Sequence, residues 1–190
     1  MSVSIEYDGS AGIERPTGVL QAVLSNVVDL GDRDDRFNPG KKKHQIILIW
    51  QLAETYEFKG KTQRFQQTEF ATLTLNNKSK LRAYVEGMLG LKIEDLLAQA
   101  KAKGNAKFKL DIEKLIGRNC MLTLAKKDSK SGEEVYTTVQ SVAPLMKGMT
   151  PIKVENIPIP EWVLEFTSAP GTADAASPEV NMEDVMEALQ

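Results

Sequence analysis

Three basic turns, and aromatic residues beside two of them, are the side chains in this sequence best placed to do chemistry. Lys41, Lys42 and Lys43 enter a strongly apolar run. Lys59, Lys61 and Arg64 surround a Lys-Gly-Lys turn, and Tyr56 and Phe65 flank it. Lys126, Lys127 and Lys130 sit in a polar loop, with Tyr136 just beyond. Cationic side chains hold a phosphate backbone, and aromatic faces stack on unpaired bases. The combination predicts a groove for single-stranded nucleic acid, provided that the fold brings the three turns around it. For any one lysine the plain alternative is a solvated turn.

Other chemistries find little support. The chain has one histidine, His44, and one cysteine, Cys120. That excludes an intrachain disulfide and a Cys/His zinc site. Cys120 lies in an apolar stretch and reads as a buried thiol, and His44 as a strand histidine with a partner. Asp32, Asp34 and Asp35 lack the glycine and distal glutamate of a calcium loop and alternate with Arg33 and Arg36. Glu57-Phe58-Lys59 has a Glu-x-Lys spacing found in some nuclease sites, without a strong acidic partner. No Gly-rich phosphate loop and no nucleophile–base pair is evident. The expectation is a protein that is not an enzyme and needs no cofactor and no metal.

The elements that must position these residues alternate in type. Residues 18–30 read as a long first strand ended by Gly31, and residues 32–43 as a charged loop. His44 to Leu52 reads as a buried second strand and Arg64 to Leu75 as a third. Trp50 reads as core, while the face of Phe70 stays open. Leu81, Tyr84, Val85 and Met88 then recur at helical spacing, after an Asn cap and before Gly90. A second helical stretch covers Ile93–Ala102, and a short helix spans Asp111–Gly117. Residues 119–125 and 135–142 read as a hairpin, and Trp162–Phe166 as a short last strand. Three strands, a helical insertion and a hairpin predict a mainly-β (α+β) fold. The specific expectation is a five-stranded OB-type Greek-key barrel with its helix between strands 3 and 4. Residues 1–16 are expected to be a loosely attached N-terminal arm, 17–168 the domain, and 169–190 a disordered acidic tail.

Several segments together resemble phage-encoded OB-fold proteins that bind single-stranded DNA or act in replication. They are VVDLG, KKKHQIILIWQL, LTLNNKSKLRAYVEGMLG, LDIEKLIGRNCMLTLAKK and VYTTVQSVAPLMKGM. The likeness spans most of the domain and lies in order and spacing rather than in one sharp motif. It implies sequence-tolerant binding of single-stranded DNA in phage replication or recombination, without a cofactor. It also implies an acidic tail that recruits replication or recombination proteins. This chain ends Glu187-Ala188-Leu189-Gln190, without the terminal Phe of bacterial tails, so the same host partners are not implied.

Charge divides the chain in the same way. Residues 169–190 hold five carboxylates and no basic residue, which leaves residues 1–168 at +3. The partner-binding candidates in the tail are Glu183, Asp184 and Glu187. The split predicts that the tail competes with DNA for the basic groove. No apolar run approaches the ~18 residues of a membrane span, and the N-terminus lacks an apolar signal. No membrane is expected, the expected compartment is the cytoplasm of a bacterial host, and a homo-oligomer is compatible with all of this. The competing reading is an OB-fold scaffold that docks proteins and has little affinity for nucleic acid.

Overall fold

The computed structural model describes residues 13–35, 38–104, 109–128 and 135–168. The strands are β1 (Gly18–Asp34), β2 (Lys42–Phe58), β3 (Lys61–Thr72), β4 (Asn119–Asp128) and β5 (Val135–Pro144). Helices α1 (Lys80–Leu89) and α2 (Ile93–Ala102) and a 3-10 turn at Ile112–Leu115 lie between β3 and β4. Helix α3 (Glu161–Ser168) follows β5. The strands form one antiparallel sheet in the order β3-β2-β1-β4-β5. The mainly-β expectation, with helices inserted after the third strand, agrees with this architecture.

Strand β2 organises the sheet because it is buried on both faces. Ile46, Leu48, Trp50 and Leu52 join a core with Ala22, Leu24, Leu122, Tyr84 and Met88. Ile47 and Ile49 face the other way, against Leu30 and Val163. A strand covered on both faces reads as an unbroken apolar run, which is why alternation alone left Trp50 without a face. Trp50 is core: it is fully buried, and its ring meets Tyr84 edge-on at 5.7 Å.

Strand β1 serves both cores through irregular pairing. Its register with β2 shifts between Leu24 and Asn26 and again between Asp29 and Gly31. A bulge turns the following side chains to the other face. Leu24 therefore packs in the first core, and Val28 and Leu30 in the second. Gly31 does not end the strand as expected: it sits at a bulge, and β1 runs on to Asp34. The predicted loop shrinks accordingly, because Lys42 and Lys43 already belong to β2. At the far end of β2, Lys59 and Gly60 have φ of 50° and 73°. Positive φ at both central residues makes the tight primed turn that suits a hairpin.

The two edge strands, β3 and β5, run in the same direction and meet through side chains. Gln67 Nε2 donates to the Thr137 carbonyl at 3.1 Å, and the Thr137 hydroxyl donates to Gln67 Oε1 at 3.0 Å. Glu69 Oε1 accepts from the Val139 N–H at 2.7 Å and the Thr138 hydroxyl at 3.0 Å, and Lys80 pairs with its other oxygen. Exposed strand edges invite unwanted pairing, and here each edge covers the other. Helix α1 lies across β5 so closely that a Cβ on Gly87 would sit 2.2 Å from the Val142 carbonyl oxygen. The α1 cap is Ser79 rather than the expected Asn, and Gly90 closes the helix as expected.

A segment after β5, residues 150–160, crosses the outer face of the sheet as an extended strap. Side-chain amides hold its main chain. Asn119 accepts from the Ile152 N–H at 2.8 Å and donates to the Ile152 carbonyl at 2.9 Å. Gln51 does the same to Glu155, at 2.8 Å in both directions. Gln66 reaches the Pro158 carbonyl and Gln21 the Thr150 carbonyl. The strap ends in α3, where the sequence reading placed a strand over Trp162–Phe166. The Pro160 carbonyl accepts from the Val163 and Leu164 N–H groups, which starts a helix. Val163 alone then turns fully inward, onto Ile47 and Ile49. A five-residue apolar run does not by itself separate helix from strand.

The seam between β3 and β5 gives the first prediction. Glu69→Ala leaves the Val139 N–H and the Lys80 ammonium without their acceptor inside the fold. Loss of hydrogen bonds to a buried charged group should cost about 2–4 kcal/mol. Urea denaturation is expected to show a lower midpoint with an unchanged slope. An unchanged midpoint would mean that the seam does not hold the edges together.

Candidate nucleic-acid interface

The residues expected to bind nucleic acid fall at two ends of the sheet. Lys41, Lys42 and Lys43 lie where β2 begins, while Lys59, Lys61 and Arg64 lie where β2 ends and β3 begins. With 17 residues in β2, and roughly 3.3 Å of rise per strand residue, these groups stand on opposite ends. The expected convergence of all three basic turns around one groove does not occur. Lys126, Lys127 and Tyr136 do share the end with Lys59 and Lys61, because β4 runs antiparallel to β1 and finishes there. Lys130 lies outside the described residues, as do Glu183, Asp184 and Glu187.

At that end an open groove of ≈ 700 Å³ separates β2–β3 from the strap. Tyr56 and Phe65 share it, with ring centroids 4.6 Å apart. The inner side of Phe65 packs on the core, which fixes the pair in place. The Tyr56 hydroxyl points at Gln63 Oε1, 3.5 Å away. Phe58 adds a third ring, and the Lys59 ammonium stands 5.0 Å from its centre. Trp162 of α3 forms part of the opposite wall. Bulky aromatics half-exposed in an open groove offer flat apolar faces to a planar ligand.

Arg15 and Arg64 line the groove, and lysines stand at the same end of the sheet. Arg64 Nε pairs with Glu155 of the strap at 2.7 Å, and its guanidinium also donates to the Lys153 carbonyl at 3.2 Å. Lys126 pairs with Glu14 at 2.6 Å, and its hydrogen bond holds the Glu14 carboxyl below the usual carboxylate range. Among the described residues no carboxylate lies within salt-bridge reach of Lys59, Lys61 or Lys127. Arg15 donates to the Gln66 carbonyl at 3.0 Å and also faces the groove. The described part of the expected loose arm is therefore tied down at both Glu14 and Arg15. Tyr136 is exposed, stands opposite Lys127, and precedes Thr137 at the seam with β3.

The sequence reading missed Arg15, Phe58 and Trp162. Phe58 sat beside the basic turn and carried a usable signal. Arg15 and Trp162 arrive from distant segments through the strap and the arm, and nothing local marks them. The lysine triplet has a different setting. Lys43 pairs with the buried Asp35 at 2.8 Å, which braces the β1–β2 tip. His44 sits between Asp29, 2.7 Å from Nε2, and Asp32, 3.6 Å from Nδ1, as a partnered strand histidine. Among the described residues no three of His, Cys, Asp and Glu are grouped to hold a metal ion, and no helix is long and apolar enough to cross a membrane.

No protein-family model matches the chain, and no curated protein matches it. The reading of its function therefore rests on the groove.

Cys120 provides a chemical check on the packing around β4. Burial pushes its thiol up to about 12, so the nucleophilic thiolate is scarce at neutral pH. A thiol-specific colour reagent should not react with the folded protein at pH 8 and should react with one thiol per chain in denaturant. Rapid labelling of the folded protein would contradict the burial.

Proposed function

We propose that this chain is a sequence-tolerant single-stranded DNA-binding protein built on an OB-type Greek-key barrel. Its cellular setting in this reading is phage replication or recombination, in the cytoplasm of a bacterial host. The observation that carries the proposal is the groove at the β2–β3 turn. It gathers Tyr56, Phe58, Phe65 and Trp162 with Arg15 and Arg64, and Lys59 and Lys61 stand at its end. Unpaired bases supply π-faces for such rings whatever their identity, and phosphates supply a counter-charge for Lys59, Lys61 and Lys127.

The barrel assignment has its own support. The strand order β3-β2-β1-β4-β5, edges that approach each other in parallel, and a helix between β3 and β4 support the reading of an OB barrel opened at one seam. Such barrels present the face of strands 2 and 3 to oligonucleotides. Here the strap covers the middle of that face, so the strand is expected to bind in the groove beside the strap. Tyr136, Lys126 and Lys127 would flank it from the β4–β5 hairpin. The acidic tail, in this reading, serves to recruit replication or recombination proteins.

A labelled 30-nucleotide oligo-dT, titrated with protein at two salt concentrations against a duplex competitor, tests the proposal. Tight binding that weakens with salt and resists duplex is expected. Tyr56→Ala should weaken it by roughly tenfold, one stacked base being worth about 1–3 kcal/mol. Lys59→Ala and Lys61→Ala should each lower the salt slope by about one. Lys41→Ala should change little. Absence of binding at low salt by the folded protein would overturn the proposal in favour of a protein-docking scaffold.

A further inference from the structure

Two features at the β1–β2 end have no part in the groove's cation set. One is the basic tip, Lys41 and Lys42, both exposed. The other is an aromatic cluster on the outer face. Phe70 of β3 meets Trp162 at 6.1 Å and Phe166 at 5.5 Å, and the two α3 rings meet edge-on at 6.1 Å. These rings remain 40%, 39% and 45% exposed, a large share for three mutually packed aromatics. Contiguous apolar surface of this kind marks a place where something docks.

The two features adjoin. The Arg33 guanidinium donates to the Phe166 carbonyl, and Arg33 stands opposite Lys43 in the β1–β2 ladder, on the face that carries Phe70, while Lys42 belongs to the alternate face. The ring cluster therefore has a basic border on the side of the tip. Helix α3 contributes Glu161 and Glu165 of its own, both exposed. An acidic occupant must then turn its carboxylates away from α3 and toward Arg33 and Lys41.

The chain itself contains a segment with this pattern. Met182, Val185, Met186 and Leu189 recur at i, i+3, i+4 and i+7, which is one stripe of a helix. Glu183, Asp184 and Glu187 fall on the opposite arc. The tail leaves the described fold at Ser168, two residues beyond Phe166. From there to Val180 an extended chain can reach up to about 40 Å. That is ample to turn back onto a patch beside its own starting point.

We propose that residues 180–189 dock in cis on Phe70, Trp162 and Phe166, with their acidic face toward Arg33 and the tip at Lys41. Contact with Met and Leu side chains covers the rings, since Met adapts to aromatic surfaces and gains from sulfur–ring contact. The same docking gives the lysine tip a charge partner. It leaves Lys59 and Lys61 uncovered, but it shares Trp162 with the groove wall. The inference does not depend on nucleic-acid binding.

Trp162 emission tests it on the full-length chain, because Trp50 is fully buried and Trp162 is not. Trp162→Phe assigns the exposed component. Met186→Glu and Lys41→Glu are each compared with the parent chain. Both variants should red-shift the Trp162 emission and raise its quenching by acrylamide, roughly twofold if one ring face is uncovered. A synthetic peptide of residues 178–190 should reverse the change in Met186→Glu, saturably and less well at high salt. Identical emission and quenching in parent and both variants would overturn the proposal. So would protection that appears only as protein concentration and particle mass rise together, which would assign the patch to the tail of a second copy.

Discussion

Burial of β2 on both faces is the constraint from which the rest of the molecule follows. A sheet of five strands with one covered face would leave Ile47, Ile49 and Leu30 in water. Covering them requires an added layer, and the strap with Val163 of α3 supplies it. Each fully buried Val, Leu or Ile side chain is worth about 1.5–3 kcal/mol. The strap's own peptide groups must be paired as they leave water. Gln51 and Asn119 accomplish this by reading the main chain of Glu155 and Ile152 in both directions. The outer layer is thus held by side-chain amides in place of strand pairing.

The groove is a consequence of that layer. Where the strap turns away toward α3, it leaves a channel beside the β2–β3 hairpin, and Trp162 becomes its far wall. Glu155, positioned by Gln51, reaches Arg64. The aromatic pair Tyr56–Phe65 is anchored from below by the core that Trp50 fills. Fold and candidate site therefore share one cause. A substitution that loosens the strap would widen the groove and shift Arg64 together.

Much of this was legible in the sequence, and the failures have physical reasons. Elements with a clear period were placed well, such as α2 at Ile93–Ala102 and α1 with its terminal Gly90. The best stacking candidates, Tyr56 and Phe65, do come together, because both flank one tight turn. The lysine triplet was assigned to the same groove because a one-dimensional reading sees three basic turns and not the length of β2 between two of them. Gly31 reads locally as a strand end, because a glycine at a bulge gives the same signal. Trp162–Phe166 reads as a strand in isolation, and the packing of Val163 on a distant sheet face selects the helix. Arg15 and Trp162 reach the groove through tertiary contacts alone, so no local pattern could name them.

The central claim is the proposed location of single-strand binding, at the β2–β3 turn and beside the strap. Amide chemical-shift mapping of the full-length protein with a short oligo-dT tests it most directly. The account predicts the largest shifts at Tyr56 to Phe65 and at Tyr136, with little change from Lys41 to Lys43. Shifts concentrated at Lys41–Lys43, or none at saturating oligonucleotide, would contradict it.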